Sequence, residues 1–222
     1  MTTLGVLFDM DGLLLDTERV GMQAFQETVA PLGMGSVQAE AFYLSLVGGT
    51  RGGTIDAIAN TLTEHDADEV YESWRAAFGR KLSDGVPLRP TVLEALSRLE
   101  ASGVPMAVVT STQGADARHH LAEAGILRFF VGVIGGDDVK NGKPDPEPYQ
   151  RGADLLSIAP EKCAAFEDSD TGTLAAVTAR CRTWQIPDLR PAGRPIPAIG
   201  QGMASSLLDA VFQSGLIDAK VL

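Results

Sequence analysis

Five short apolar runs with helical patterns between them constrain this chain more than any other feature. They lie at residues 4–8, 104–110, 132–135, 163–166 and 183–186, and helical stretches cover 91–102, 113–124, 147–156 and 171–180. Strands that alternate with helices predict an α/β fold, a doubly wound parallel sheet covered on both faces. In such sheets ligands sit at the carboxyl ends of the strands, near the point where the strand order reverses. That rule places Asp9, Asp11, Thr110 and Asp168 on one rim, because each lies at or just past the end of a strand candidate.

The interval between the first two strands is too long for one crossover. Residues 16–84 read as helices at 18–31, 39–46, 54–62 and 67–83, with Gly48-Gly49-Thr50-Arg51-Gly52-Gly53 breaking the segment. The expected organisation is a core of residues 1–15 and 85–222 carrying an all-helical cap of residues 16–84. The alternative is that these helices pack directly against the sheet. After Pro187 the chain is rich in Pro and Gly up to Gly202 and reads as a weakly structured loop, followed by a closing helix at 203–212.

The first run ends in Asp9-Met10-Asp11-Gly12. Neighbouring carboxylates at the mouth of an apolar strand repel each other and are costly to desolvate. A shared hard cation offsets that cost, and carboxylates that share one in a cleft equip a Mg²⁺-dependent phosphoryl-transfer site. A solvated Asp-x-Asp-Gly turn is the plainer alternative.

Composition narrows the partners. A net charge of −11 over 222 residues disfavours nucleic acid and anionic membrane surfaces. Cys163 and Cys181 provide neither a disulfide framework nor zinc spacing, and a reducing cytoplasm is the expected compartment. No apolar run reaches membrane-spanning length, and no signal-peptide pattern precedes the first strand. A monomer acting on a small molecule is the default expectation.

Three further segments join Asp9-Met-Asp-Gly: Val108-Val-Thr110-Ser111, Gly142-Lys143-Pro-Asp-Pro146, and Phe166-Glu167-Asp168-Ser-Asp-Thr-Gly172. In this order the chain resembles the haloacid dehalogenase-like hydrolases, whose core is Rossmann-like. The opening Asp9-Met-Asp-Gly-Leu-Leu-Leu-Asp16-Thr-Glu18 is similar to the helical-cap subgroup of sugar-phosphate phosphatases and β-phosphoglucomutase.

The resemblance implies roles. Asp9 is the expected nucleophile, forming an aspartyl phosphate. Asp11 is the expected general acid and then base, and its backbone carbonyl is an expected Mg²⁺ ligand. Gly12 lets the chain turn away from the phosphate. Thr110, with the backbone N–H of Ser111, is expected to bind the phosphoryl group. Lys143 is expected to neutralise Asp9 and the phosphoryl oxygens. Asp9 and Asp168 would ligate Mg²⁺ directly, and Glu167 through a water. Glu18 and Arg51 in the cap are expected to set specificity, Arg51 against a distal group of the substrate.

Asp11 separates this chain from dehalogenases and phosphonatases, which lack that carboxylate in the resemblance. β-Phosphoglucomutases carry a histidine where this chain has Gly21, and Asp16-Thr17-Glu18 is a phosphatase-like pattern. The expectation is a Mg²⁺-dependent phosphatase for a small phosphorylated sugar or similar metabolite. A phosphosugar mutase is the alternative, and a catalytically idle binding protein is the reading from another class. One departure stands out: Ala179-Arg180-Cys181 occupies the place of the usual Ala-Gly pair.

Overall fold

A computed structural model describes residues 4–47, 50–83, 85–190 and 193–217. Its contacts divide the chain into two compact units, one of residues 1–16, 87–188 and 196–222, the other of residues 17–86 and 189–195.

The first unit is built on a parallel sheet of six strands: β1 Gly5–Phe8, β2 Met106–Val109, β3 Gly132–Ile134, β4 Cys163–Glu167, β5 Arg182–Gln185 and β6 Gly202–Met203. Their order is β3-β2-β1-β4-β5-β6, so the winding reverses at β1. Phe8 stands beside Val108 on one side and Phe166 on the other. All four residues of β1 are buried, which explains a strand that reads as a continuous apolar run.

Helices cover both faces. The helices of this unit are α5 Val92–Ala101, α6 Gly114–Glu123, α7 Glu147–Leu155, α8 Asp170–Thr178 and α9 Leu207–Ser214, numbered after the four of the second unit. Leu7, Ala107, Val109 and Ala165 share a core with Tyr149 and Ala153 of α7 and Ala175 and Ala176 of α8. Small alanines on α8 let it lie close to the sheet. On the opposite face, Phe8 packs against Phe130 and Phe166, and Phe166 against Trp184.

The tail differs from its sequence reading. Met203 belongs to β6 rather than to the closing helix, which begins at Leu207 behind a Ser206 cap. The preceding Pro/Gly stretch is tied to the sheet by Gln201, whose Nε2 donates to Gln185 Oε1 at 3.0 Å. A two-residue strand carries too little pattern to be read from sequence.

The second unit consists of α1 Thr17–Val29, α2 Ser36–Leu46, α3 Arg51–Thr61 and α4 Ala67–Ser83. Phe25 is its centre: it stacks on Phe42 at 5.6 Å and meets the Trp74 ring edge-on at 5.4 Å. Full burial of such a side chain is worth roughly 2–3 kcal/mol. Arg51, Gly52 and Gly53, read from sequence as a break, form the first turn of α3, because Thr50 caps it by accepting from Gly53 N at 3.2 Å. Gly48 and Gly49 lie outside the described residues. Residues 189–195, which the sequence reading gives to the core, cluster with this unit, and Leu189 packs against its apolar centre. No helix among the described residues is long and apolar enough to cross a membrane.

Candidate active site

The carboxyl ends of β1, β2 and β4, and the loop after β3, carry the residues singled out by sequence. After β1 the chain folds back on itself: Gly12 N donates to Leu15 O at 2.9 Å, while Leu14 and Leu15 N donate to Met10 O. Leu13, Leu14 and Leu15 are buried and anchor this loop. Gly12 takes φ +82°, and a Cβ there would run into the Asp168 carboxylate. Both facts call for glycine.

Lys143 ties the ends of the strands together. Its ammonium donates to Asp9 Oδ1 at 2.5 Å, to Glu167 Oε1 at 2.6 Å and to the Val109 carbonyl at 2.9 Å. Those three bonds use all of its hydrogens. The loop that presents it is closed by Glu147 in the first turn of α7. That carboxylate accepts from Lys140 N and Asn141 N, each at 2.9 Å, and Glu147 N donates to Asp145 Oδ1. The two backbone bonds hold the Glu147 pKa below its ordinary 4.5.

Asp11 is oriented by the β2 loop. Thr112 donates its hydroxyl to Asp11 Oδ2 at 2.8 Å, and the Thr110 hydroxyl lies 3.5 Å from the same oxygen. Thr112 N in turn donates to Thr110 Oγ1 at 3.1 Å. Thr112 was missed by sequence reasoning; a second hydroxyl in a turn carries no distinguishing signal. Ser111 is exposed at this turn.

On β4, Glu167 is fully buried, and both of its oxygens accept hydrogen bonds. Oε1 takes Lys143 and the Tyr149 hydroxyl, at 2.6 Å each, and Oε2 takes Ser169 N at 3.3 Å and Ser169 Oγ at 3.0 Å. A Cβ on Gly172 would overlap this carboxylate, so glycine is required for α8 to begin this close to it. Asp168 is only partly buried. Gln185, fully buried on β5, donates to Asp170 Oδ1 at 2.9 Å and to the Asp168 carbonyl at 3.3 Å, fixing the acidic turn.

The electrostatics call for a cation. Burial pushes the Asp9 carboxyl well above its usual range; Lys143 pulls against this, while Glu167 and Asp11 add to the rise. Burial also opposes the charge on Lys143, but Asp9 and Glu167 more than offset it, and the ammonium is held above its ordinary 10.5. One lysine therefore faces several acids in a low-dielectric rim. Ligand oxygens of Asp9, Glu167 and Asp168 all lie within 4.8 Å of one another, and a hard divalent ion suits such an oxygen-only set.

Glu18 and Arg51 lie in the helical unit and line one cavity of about 200 Å³ with Tyr43, Thr54, Tyr71 and Trp74. Glu18 Oε2 accepts from the Tyr43 hydroxyl at 2.9 Å. Arg51 pairs with Glu72 at 2.8 Å and lies over the Tyr71 ring at 5.2 Å. The core residues thus converge on one rim and the two helical-unit residues on one cavity.

Comparison with known proteins agrees with this geometry. The haloacid dehalogenase-like hydrolase family model matches residues 6–186. A phosphorylated carbohydrates phosphatase of Thermotoga maritima is 32% identical over 179 residues, covering 78% of this chain and 80% of that protein. A fructose-1-phosphate phosphatase of Escherichia coli is 32% identical over 180 residues, covering 78% of this chain and 90% of that protein. The crystal structure of a hydrolase of the same family from Deinococcus radiodurans, with bound phosphate and sodium, superposes with a TM-score of 0.82 at 25% identity, covering 97% of this chain and 98% of that one.

Proposed function

We infer, from the premise that this chain belongs to the haloacid dehalogenase-like hydrolase family, that it is a phosphoric monoester hydrolase acting on a small phosphorylated sugar or polyol. The observation that carries the reading is the contact of the Lys143 ammonium with Asp9, on the same rim as Asp11, Thr110 and Asp168. The relatives named above as sugar-phosphate phosphatases support the substrate class.

In this reading Asp9 attacks phosphorus and the ester oxygen leaves with a proton from Asp11. Asp11, held by Thr112, then takes a proton from water, and that water attacks the aspartyl phosphate. Phosphate departs and Asp9 is regenerated. A carboxylate is a weak nucleophile, so positioning and charge neutralisation supply most of the acceleration. Lys143 holds Asp9 in place and screens its charge from the phosphoryl oxygens. The Thr110 hydroxyl and the Ser111 N–H bind those oxygens, and Gly12 keeps the chain clear of them. Asp9 and Asp168, with the Asp11 carbonyl, would hold Mg²⁺, and Glu167 would contribute through a water while it orients Lys143. When bound, the ion would neutralise charge on the transferring group.

Glu18 and Arg51 are assigned to substrate selection through the cavity they line. Arg51 already has an acidic partner in Glu72, which favours neutral hydroxyls over a second phosphate. Hydrolysis is favoured over mutase transfer by position 21. Gly21 stands where the resemblance gives the mutases a histidine, and a Cβ there would sit 2.6 Å from the Tyr43 hydroxyl, so a larger residue would have to displace that side chain. The protein is read as a monomer of a reducing compartment, in line with its two buried free thiols.

The test is phosphate release from a panel of sugar and polyol phosphates, with β-glucose 1-phosphate included, in Mg²⁺ and in EDTA. Metal-dependent release from a few members is expected. Conversion of β-glucose 1-phosphate to glucose 6-phosphate without free phosphate would move the assignment to the mutase. Binding without turnover would make the protein an idle relative.

A further inference from the structure

Tyr149 carries a buried polar group that the reaction above leaves without a role. It lies on α7, fully buried, beneath the rim rather than on it. Its hydroxyl donates to Glu167 Oε1 at 2.6 Å, the same oxygen that receives the Lys143 ammonium at 2.6 Å. Its ring also underlies that ammonium, with Nζ 5.2 Å from the centroid.

A phenylalanine would fill the same apolar space between α7 and the sheet. A buried hydroxyl carries a desolvation cost that only its hydrogen bond offsets. The group must therefore be judged by what its bond holds. Glu167 can turn its carboxylate about its last torsion, which is broad and soft. Ser169 fixes Oε2, and Tyr149 fixes Oε1. With Tyr149 in place, Oε1 shares its electron density between two donors. Without it, Oε1 would have Lys143 alone and would draw the ammonium away from Asp9 Oδ1. The lysine stem is flexible, so the position of its head depends on these acceptors.

We propose that Tyr149 is a positioning residue for the hydrolysis assigned above: it clamps Glu167 so that Lys143 is aimed at Asp9. It acts through two other side chains and touches neither substrate nor the reacting atoms. The proposal rests on the phosphatase reading for its kinetic consequence, but its structural part stands alone.

Two readouts on the full chain test it. The first is the ¹⁵N–¹H signal of the Lys143 ammonium in ¹⁵N-lysine-labelled protein, assigned by its loss in Lys143→Met. Three acceptors and burial should slow its proton exchange enough for detection. In Tyr149→Phe this signal should shift or broaden while the melting temperature stays within a few degrees. The second is turnover of p-nitrophenyl phosphate with Mg²⁺, where Tyr149→Phe should lower kcat about tenfold and leave KM within about twofold. The same change in a Glu167→Gln background should have little further effect, because the clamp's target is already altered.

An unchanged ammonium signal in a folded Tyr149→Phe protein would overturn the proposal, whatever happens to turnover. So would a fall in kcat that merely tracks a lower melting temperature. A wild-type protein inert toward every phosphate, yet showing the signal change, would sink the phosphatase reading and leave the clamp standing.

Discussion

The Lys143 ammonium sits 2.5 Å from Asp9 Oδ1, although 134 residues of chain separate the two. It is the cation that pulls against the upward push that burial gives the Asp9 carboxyl. Lys143→Met would leave Asp9 and Glu167 buried with no positive partner. Breaking a buried pair in this way costs roughly 3–5 kcal/mol. Thermal unfolding should show that loss, and phosphate release should fall by about a thousandfold or more. Lys143→Arg should not rescue turnover, because a planar fork does not match three acceptors arranged around a point charge.

The acid cluster predicts a metal effect that can be read without substrate. Mg²⁺ added to EDTA-treated protein should raise its melting temperature, since a ligand that binds only the native state stabilises it. Asp168→Ala should abolish the shift together with turnover. Asp9→Asn should fold and lack turnover.

Glu147 predicts an acid-side instability. Its folded pKa lies below the ordinary 4.5 because two backbone N–H groups bind the charged form. The stabilisation it contributes is present above the unfolded value and is lost as pH falls through the lowered folded value. Denaturant unfolding should therefore weaken below about pH 4.5. Glu147→Gln should flatten that dependence and reduce turnover at neutral pH, because the same bonds hold the loop that presents Lys143.

Arg180 adopts φ +70°, a left-handed conformation that favours glycine, at the place where the sequence departs from the Ala-Gly pair the resemblance implies. A side chain there costs roughly 1–2 kcal/mol. Its ion pair with Glu161, 3.5 Å long and exposed, gives little back. Arg180→Gly should raise stability by about 0.5–1 kcal/mol in a denaturant titration, with turnover unchanged.

Gly21 and Tyr43 should be energetically coupled. Gly21→Ala gains about 1 kcal/mol of helix propensity, but its Cβ meets the Tyr43 hydroxyl, which bonds Glu18. The substitution should destabilise the wild-type protein and stabilise a Tyr43→Phe variant. A double-mutant cycle by thermal unfolding measures the difference.

Much of this was legible in the sequence, for local reasons. The alternation of apolar runs and helical patterns implied the parallel sheet, because strands buried on both faces must be continuously apolar. The rim residues could be named because each followed such a run, and Lys143 because its proline-stiffened loop falls in the motif order of the family the chain resembles. The helical stretch read at 67–83 coincides with α4. The Arg180 departure also showed at once, and the structure shows that the turn forms with the arginine held in the strained conformation.

Other features depended on partners far apart in the chain. Thr112 reaches Asp11 across 101 residues, and nothing in Ser-Thr-Gln marks the hydroxyl that does so. Tyr149 reads as one more core position on an amphipathic helix until Glu167 is placed above it. Gln201 lies in a Pro/Gly tail that has no periodicity, yet it holds Gln185 and through it the acidic turn. Periodicity reports which face of an element is buried. Which buried polar atoms meet is set by how elements distant in sequence pack, and only the folded chain decides that.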